Sequence, residues 1–282
     1  MKRLLMPFML ATLVSVAGFA DDNRFSRETF TLGETTLHYR CADICHNATE
    51  KSILVLYLHG GTARGDDNEA QLSEAAVSVI YQYLYSHQIP ATFIVPQCPS
   101  GGGWTGQLRR VVNEMVKSYA NDGSHDPDRI YLLGGSMGGT GTWTQLSYYP
   151  NFYAAAMPVA GNPTGLDAAA VATTPVLTVM GTADNMMSIP AVETFMTDVI
   201  AEGGSVQLDI EDGWSHPTTC EQSYTDERLD WLFSWRRSNS TGIKATTSIN
   251  PSSVSIYDLC GRKVSTPTKG IYLIDGKKVI VK

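Results

Sequence analysis

The run Leu132-Leu133-Gly134-Gly135-Ser136-Met137-Gly138-Gly139 sets one hydroxyl among four glycines. A serine hydroxyl attacks a carbonyl only when a base takes its proton, and that base needs a carboxylate to fix its tautomer and stabilise its cation. Gly134-x-Ser136-x-Gly138 has the spacing of a nucleophile elbow, where a strand turns sharply into a helix and exposes the serine on the strained turn. Side chains at Gly134 and Gly138 would collide with neighbouring backbone there. The elbow predicts an acid and then a histidine downstream. His38, His46, His59, His87 and His125 precede Ser136, so chain order leaves His216. Asp184 follows a strand-like run; Asp167 lies before that run, and Asp209 and Asp212 belong to the next strand or its end. The candidate catalytic set is therefore Ser136 as nucleophile, His216 as base and Asp184 as the orienting acid.

Acyl transfer also needs amide donors for the oxyanion. The residue after the nucleophile, Met137, offers one at a helix start, where the dipole adds to it. The other is expected in the turn Tyr57-Leu58-His59-Gly60-Gly61-Thr62 after an earlier strand, with Gly61 the first choice and Thr62 the next. His59 reads as support for that loop. Trp104 and Trp214 could wall an apolar or sugar-bearing substrate, or could pack against the sheet. The chain has no Cys-x-x-Cys pair and no histidine pair at helical spacing, so neither a metal nor a cofactor is expected.

These residues need a sheet whose strands all end at one side. Apolar runs at Ile53 to His59, Thr92 to Gln97, Arg129 to Ser136, Ala154 to Gly161, Pro175 to Gly181 and Val206 to Asp212 alternate with helical stretches. Those stretches are Glu69 to Ser86, Gly106 to Tyr119, Met137 to Tyr149, Pro190 to Glu202 and Asp226 to Arg237. The alternation predicts an α/β fold, a mostly parallel sheet with helices on both faces. Phe30 to Arg40, with Gly33 and Glu34 in the middle, predicts an antiparallel edge hairpin in front of it.

Composition narrows the partners. The 282 residues are 43% hydrophobic, enough for one large core, and the net charge of -7 with a pI near 5.3 leaves no basic stripe for nucleic acid. Residues 1–20 have the layout of a cleaved signal peptide: Lys2 and Arg3, an apolar run too short to span a bilayer, then small residues before Asp21. Export makes the five cysteines, Cys41, Cys45, Cys98, Cys220 and Cys260, candidates for disulfides with at least one left over, the alternative being that several are simply reduced. Residues 21–237 form the expected catalytic domain and the polar stretch 238–252 a linker. Residues 253–282 form a short C-terminal β segment with a hairpin signal at Asp275-Gly276.

The run from Asp126 to Asn162 resembles the α/β-hydrolase superfamily, and more narrowly its carboxylesterase branch of secreted feruloyl and acetylxylan esterases, polyhydroxybutyrate depolymerases and predicted peptidases. Leu58 to Asn68 resembles that branch's oxyanion loop, Pro96 to Trp104 its substrate loop, and Gly181 to Asn185 with Ser215 to Arg237 its acid and histidine segments. The resemblance implies the same roles for Ser136, Asp184, His216, Met137 and Gly61. It implies a serine esterase acting on a small acyl ester or an acylated polysaccharide, with a peptidase or a catalytically silent carbohydrate-binding protein as alternatives. One departure is Ser215, where a glycine usually precedes the histidine. The tail resembles a type IX secretion sorting segment, which implies secretion machinery as a partner and a place in the periplasm, at the cell surface or outside the cell.

Overall fold

The computed structural model describes residues 24–46 and 49–237, and the backbone of three strands in the C-terminal stretch. The expected signal peptide, the linker, Cys260 and the Asp275-Gly276 turn lie outside the described residues. Contacts divide the chain into two units, residues 1–241 and 242–282.

The first unit is built on one eight-stranded sheet. Its strands are β1 (Ser26–Leu32), β2 (Thr35–Ile44), β3 (Ser52–Leu58), β4 (Ala91–Pro96), β5 (His125–Gly135), β6 (Ala155–Val159), β7 (Val176–Gly181) and β8 (Val206–Glu211). The order across the sheet is β1-β2-β4-β3-β5-β6-β7-β8. Strands β3 to β8 run parallel, while β1 and β2 form the expected antiparallel hairpin, with Leu32 opposite Thr35 across Gly33 and Glu34. Every residue of β3 and β4 is buried, as a central parallel strand covered on both faces requires.

Alternate residues of β3 feed two cores. Ile53, Val55 and Tyr57 pack with α1 (Ala75–Ser86) and α7 (Asp226–Phe233). Leu54, Leu56 and Leu58 pack with α2 (Gly106–Ala120), α3 (Met137–Tyr148) and α5 (Ile189–Ala201) on the other face. The stripe of Val111, Val112, Met115 and Val116 on α2 is fully buried there.

Three expectations change. The stretch from Glu69 to Ser86 is not one helix: a 3-10 turn, Ala70–Ser73, is separated from α1 by Glu74, whose backbone is extended and whose side chain bonds another loop. Two short helices, α4 (Ala168–Val171) and α6 (His216–Gln222), were not expected, being too brief to show a period. Cys41, Cys45, Cys98 and Cys220 are all free. Cys41 and Cys45 lie four residues apart along extended chain, roughly 13 Å at strand rise, beyond disulfide reach.

The second unit contributes β9 (Ile256–Asp258), β10 (Gly270–Ile274) and β11 (Lys277–Val281) in the antiparallel order β11-β10-β9, with Ile274 opposite Lys277.

Candidate active site

The chain passes from β4 on one side of β3 to β5 on the other, so the loops leaving β3 and β5 meet at a topological switch point. Ser136 occupies the sharp turn between β5 and α3 with φ 57° and ψ −117°, a conformation ordinary side chains avoid. Its N–H donates to the Val159 carbonyl at 3.0 Å, which ties the strained residue to the neighbouring strand. A Cβ at Gly138 would lie 1.7 Å from the Leu58 carbonyl oxygen, and one at Gly134 would lie 2.5 Å from the Gly138 oxygen. Glycine is thus required on both sides of the serine by contact with backbone.

Asp184 follows β7 and His216 follows β8, and the structure brings both to Ser136. The Ser136 hydroxyl lies 2.8 Å from His216 Nε2, and His216 Nδ1 lies 2.7 Å from Asp184 Oδ2. The Asp184 side chain is fully buried, and its other oxygen accepts the N–H groups of Met186 and Met187 at 2.8 and 3.0 Å. An ionised carboxylate fixed in this way holds the imidazole with its proton on Nδ1, leaving Nε2 free to accept the serine proton. The acid and histidine loops are joined directly: Ala183 N–H donates to Trp214 O at 3.0 Å, and Gly213 N–H to Thr182 Oγ1 at 2.7 Å. Ser215, the departure from the usual glycine, caps α6 by accepting the Thr218 N–H, so His216 becomes that helix's first residue.

Beside the serine stands the loop leaving β3. A Cβ at Gly60 would lie 3.5 Å from Ser136 Cβ, and Gly61 and Thr62 begin a 3-10 turn, Gly61–Ala63. Among the described residues, no backbone carbonyl accepts the N–H of Gly61, Thr62 or Met137. These are the amides expected to meet an oxyanion, and they flank the nucleophile.

Buried side chains hold this loop. His59 Nε2 accepts the Cys98 N–H at 2.8 Å, so its proton is on Nδ1, which donates to Gly60 O at 2.6 Å. Burial pushes its pKa down to about 4, against the Gly60 hydrogen bond, which favours the charged form. Glu74 accepts the Gly60 N–H at 2.7 Å and the Tyr57 hydroxyl at 2.6 Å; burial raises its pKa, and these two bonds oppose the rise. Cys220 lies behind the elbow, 3.6 Å from a Cβ placed on Gly135, and burial lifts its thiol to about 12. Sequence reasoning placed Tyr57 in the oxyanion turn and Cys220 near the histidine segment but assigned neither a role, and it missed Glu74, which carries no motif and reaches the site only through the fold.

The two tryptophans, each expected either to wall a substrate or to pack, are placed differently from one another. Trp104 is 1% exposed, donates its indole N–H to His59 O at 2.9 Å and stacks edge-on to that ring. It packs beneath the oxyanion loop. Trp214 is partly exposed, but it lines a groove that contains none of Ser136, Asp184 and His216. Among the described residues no group of three or more His, Cys, Asp and Glu side chains is arranged to hold a metal, and no helix is long and apolar enough to cross a membrane.

Comparison with known proteins agrees with this architecture. Residues 101–235, a little under half the chain, match the dienelactone hydrolase family. A thermostable esterase is 26% identical with a TM-score of 0.70 over 76% of this chain; this chain spans 64% of that one. A feruloyl esterase module from Clostridium thermocellum, solved with sinapinate, shares the fold at 19% identity and a TM-score of 0.54, over 74% of this chain and 88% of that one. A puromycin-hydrolysing peptidase from Mycobacterium tuberculosis does so at 18% and 0.55, over 76% of this chain and 40% of that one. No curated protein sequence matches this chain. The first unit has the α/β-hydrolase fold.

Proposed function

We propose that this protein is a serine carboxylesterase that removes acyl groups, ferulate or acetate, from plant-wall polysaccharide such as xylan. The carrying observation is the Ser136–His216–Asp184 chain of hydrogen bonds, 2.8 and 2.7 Å long, on a turn that only glycines permit. Ser136 Oγ attacks the ester carbonyl while His216 Nε2 takes its proton. The Met137 and Gly61 amides receive the charge on the carbonyl oxygen. The resulting imidazolium, steadied by Asp184, gives its proton to the departing alcohol, and a water activated by the same histidine releases the acid. The polysaccharide part of the reading is supported by the likeness to the feruloyl esterase module and by the export signal read in residues 1–20, which would carry the enzyme out to a polymer.

Wild type and Ser136→Ala should be assayed on nitrophenyl acetate, methyl ferulate and a peptide anilide. Wild type is expected to cleave the esters, and Ser136→Ala to lose at least ~10³-fold in kcat. Equal ester hydrolysis by the two proteins would end the serine mechanism. Cleavage of the anilide without the esters would replace the esterase by a peptidase.

A further inference from the structure

Trp214 leads to a second site. Strand β8 ends the sheet, and Gln207, Asp209 and Glu211 stand on one of its faces by the two-residue period of a strand. Opposite them α7 presents Arg228 and, three residues on, Trp231; Trp214, from the loop leaving β8, completes the lining. Together they border an open cavity of about 440 Å3, within the ~300–1,000 Å3 of small-molecule sites.

The charges in this cavity are already arranged. Arg228 Nε donates to Asp209 Oδ2 at 2.8 Å, one terminal nitrogen bonds Glu211, and the other donates to Ser223 O at 3.3 Å. Three of the guanidinium's five N–H groups are committed to the protein, and its charge is matched by the two carboxylates it bonds. With Glu227 the lining carries three carboxylates against one cation, which repels anions further. What remains exposed is a set of oxygen acceptors held rigid by Arg228, the Gln207 amide, and two partly exposed indoles. Hydroxyl groups donate to such carboxylates, and the C–H faces of a sugar ring lie against indole rings.

We propose that the groove between β8 and α7 binds a short stretch of a neutral saccharide chain, as a site separate from Ser136. Its residues stand outside the triad, so the proposal survives on its own chemistry whatever bond Ser136 cleaves. The groove is also covalently close to the catalytic loops: Trp214 lies two residues before His216, and its carbonyl accepts the Ala183 N–H beside Asp184. A polymer held there stays tethered to the enzyme between turnovers.

The test is native affinity electrophoresis of the full chain in gels containing neutral deacetylated xylan or mixed-linkage β-glucan, with a polysaccharide-free gel as reference. Wild type and Ser136→Ala are expected to be retarded equally, and Trp231→Ala to lose at least ten-fold in apparent affinity while keeping wild-type nitrophenyl acetate hydrolysis and melting temperature. Should Trp231→Ala fold poorly, Trp231→Phe and Gln207→Ala carry the test, each with weakened retardation. Undiminished retardation of these variants, or none of wild type by either polysaccharide, overturns the proposal. Quenching of indole fluorescence by tetramethylammonium but not by the sugars would assign the groove to a cation and overturn it equally. If wild type is retarded and Trp231→Ala is not, but no ester is hydrolysed, the esterase reading fails and the groove stands.

Discussion

Two glycine-bearing turns meet at Ser136, and they are held in opposite ways. The elbow is fixed by missing atoms: Gly138 leaves room for Leu58 O, Gly134 for the Gly138 carbonyl, and Gly139 for Val159 O, 2.3 Å from where its Cβ would be. The oxyanion loop is fixed by atoms supplied from elsewhere. Glu74 reaches Gly60 from 14 residues away, the Cys98 amide reaches His59 from 39, and Trp104 reaches it from 45. Its far end is pinned by Gln97 Oε1, which accepts the Asn68 N–H at 2.6 Å. Damage to the elbow is therefore steric overlap of backbone, while damage to the loop is a lost hydrogen bond, and the two differ in size.

Gly138→Ala tests the first half and carries the largest effect. Its Cβ, 1.7 Å from a carbonyl oxygen of the central strand, can be relieved only by moving β3 or α3. The expected loss exceeds ~4 kcal/mol, in the exceptional range for one substitution, and shows as failure to accumulate folded protein or as a collapsed urea midpoint. A variant with wild-type stability would show that the elbow has slack and erase the contrast.

On the proposed mechanism the loop acts through the Gly61 N–H, and Gly61→Pro removes it. Gly60 is extended (φ −73°, ψ 177°) and Gly61 opens the 3-10 turn, the setting in which proline fits. The melting temperature should hold while kcat on nitrophenyl acetate falls ~10²–10³-fold, the effect of losing one oxyanion donor. Gly61→Ala is the control: its Cβ meets only the Arg64 guanidinium at 3.4 Å and the amide stays, so kcat should change less than about two-fold. Full activity in Gly61→Pro would move the donor to Thr62.

His59 makes the loop, and not the elbow, the acid-sensitive half. Its folded pKa of about 4 lies below the ordinary 6.5, so between those pH values the unfolded chain binds a proton that the folded chain refuses. Its contribution is intact above pH 6.5 and is lost as the pH falls, by roughly 2–3 kcal/mol at pH 4.5. Urea unfolding at pH 7 and 4.5 should show this difference, and His59→Gln should remove most of it. An unchanged pH dependence in the variant would mean that His59 is not the titrating group.

The same contrast explains what the sequence discloses. The elbow's required residues fall within five consecutive positions, although some of the backbone they make room for is distant, so Gly134-x-Ser136-x-Gly138 was readable. The order of Asp184 and His216 follows from strand order, and a parallel sheet puts both loops at one end. Hydrophobic runs likewise located β3 to β8 within a few residues. Glu74 was read as part of a helix because nothing local distinguishes an extended glutamate facing a loop 14 residues back. Trp104 and Trp214 share one residue type, and only the fold separates an indole buried under His59 from one lining a groove.

Glu74 gives the smallest effect and the sharpest test of how the loop is held. Glu74→Ala leaves the buried Gly60 N–H and the Tyr57 hydroxyl without their acceptor, a cost of ~1–3 kcal/mol for such a group. The amide of Gly60 is one residue from the Gly61 donor, so the loosening should appear mainly as a fall in kcat of roughly ten-fold, with KM changed less, because an oxyanion exists only in the transition state. Glu74→Gln should restore most of that rate. Its carbonyl oxygen can accept the Gly60 N–H while its amide nitrogen donates to the Tyr57 oxygen. Recovery with Gln identifies geometry as what Glu74 supplies. A Gln variant as slow as the Ala variant would show instead that the negative charge matters, and a full-rate Ala variant would show that the remaining contacts through His59 and Trp104 hold the loop without it.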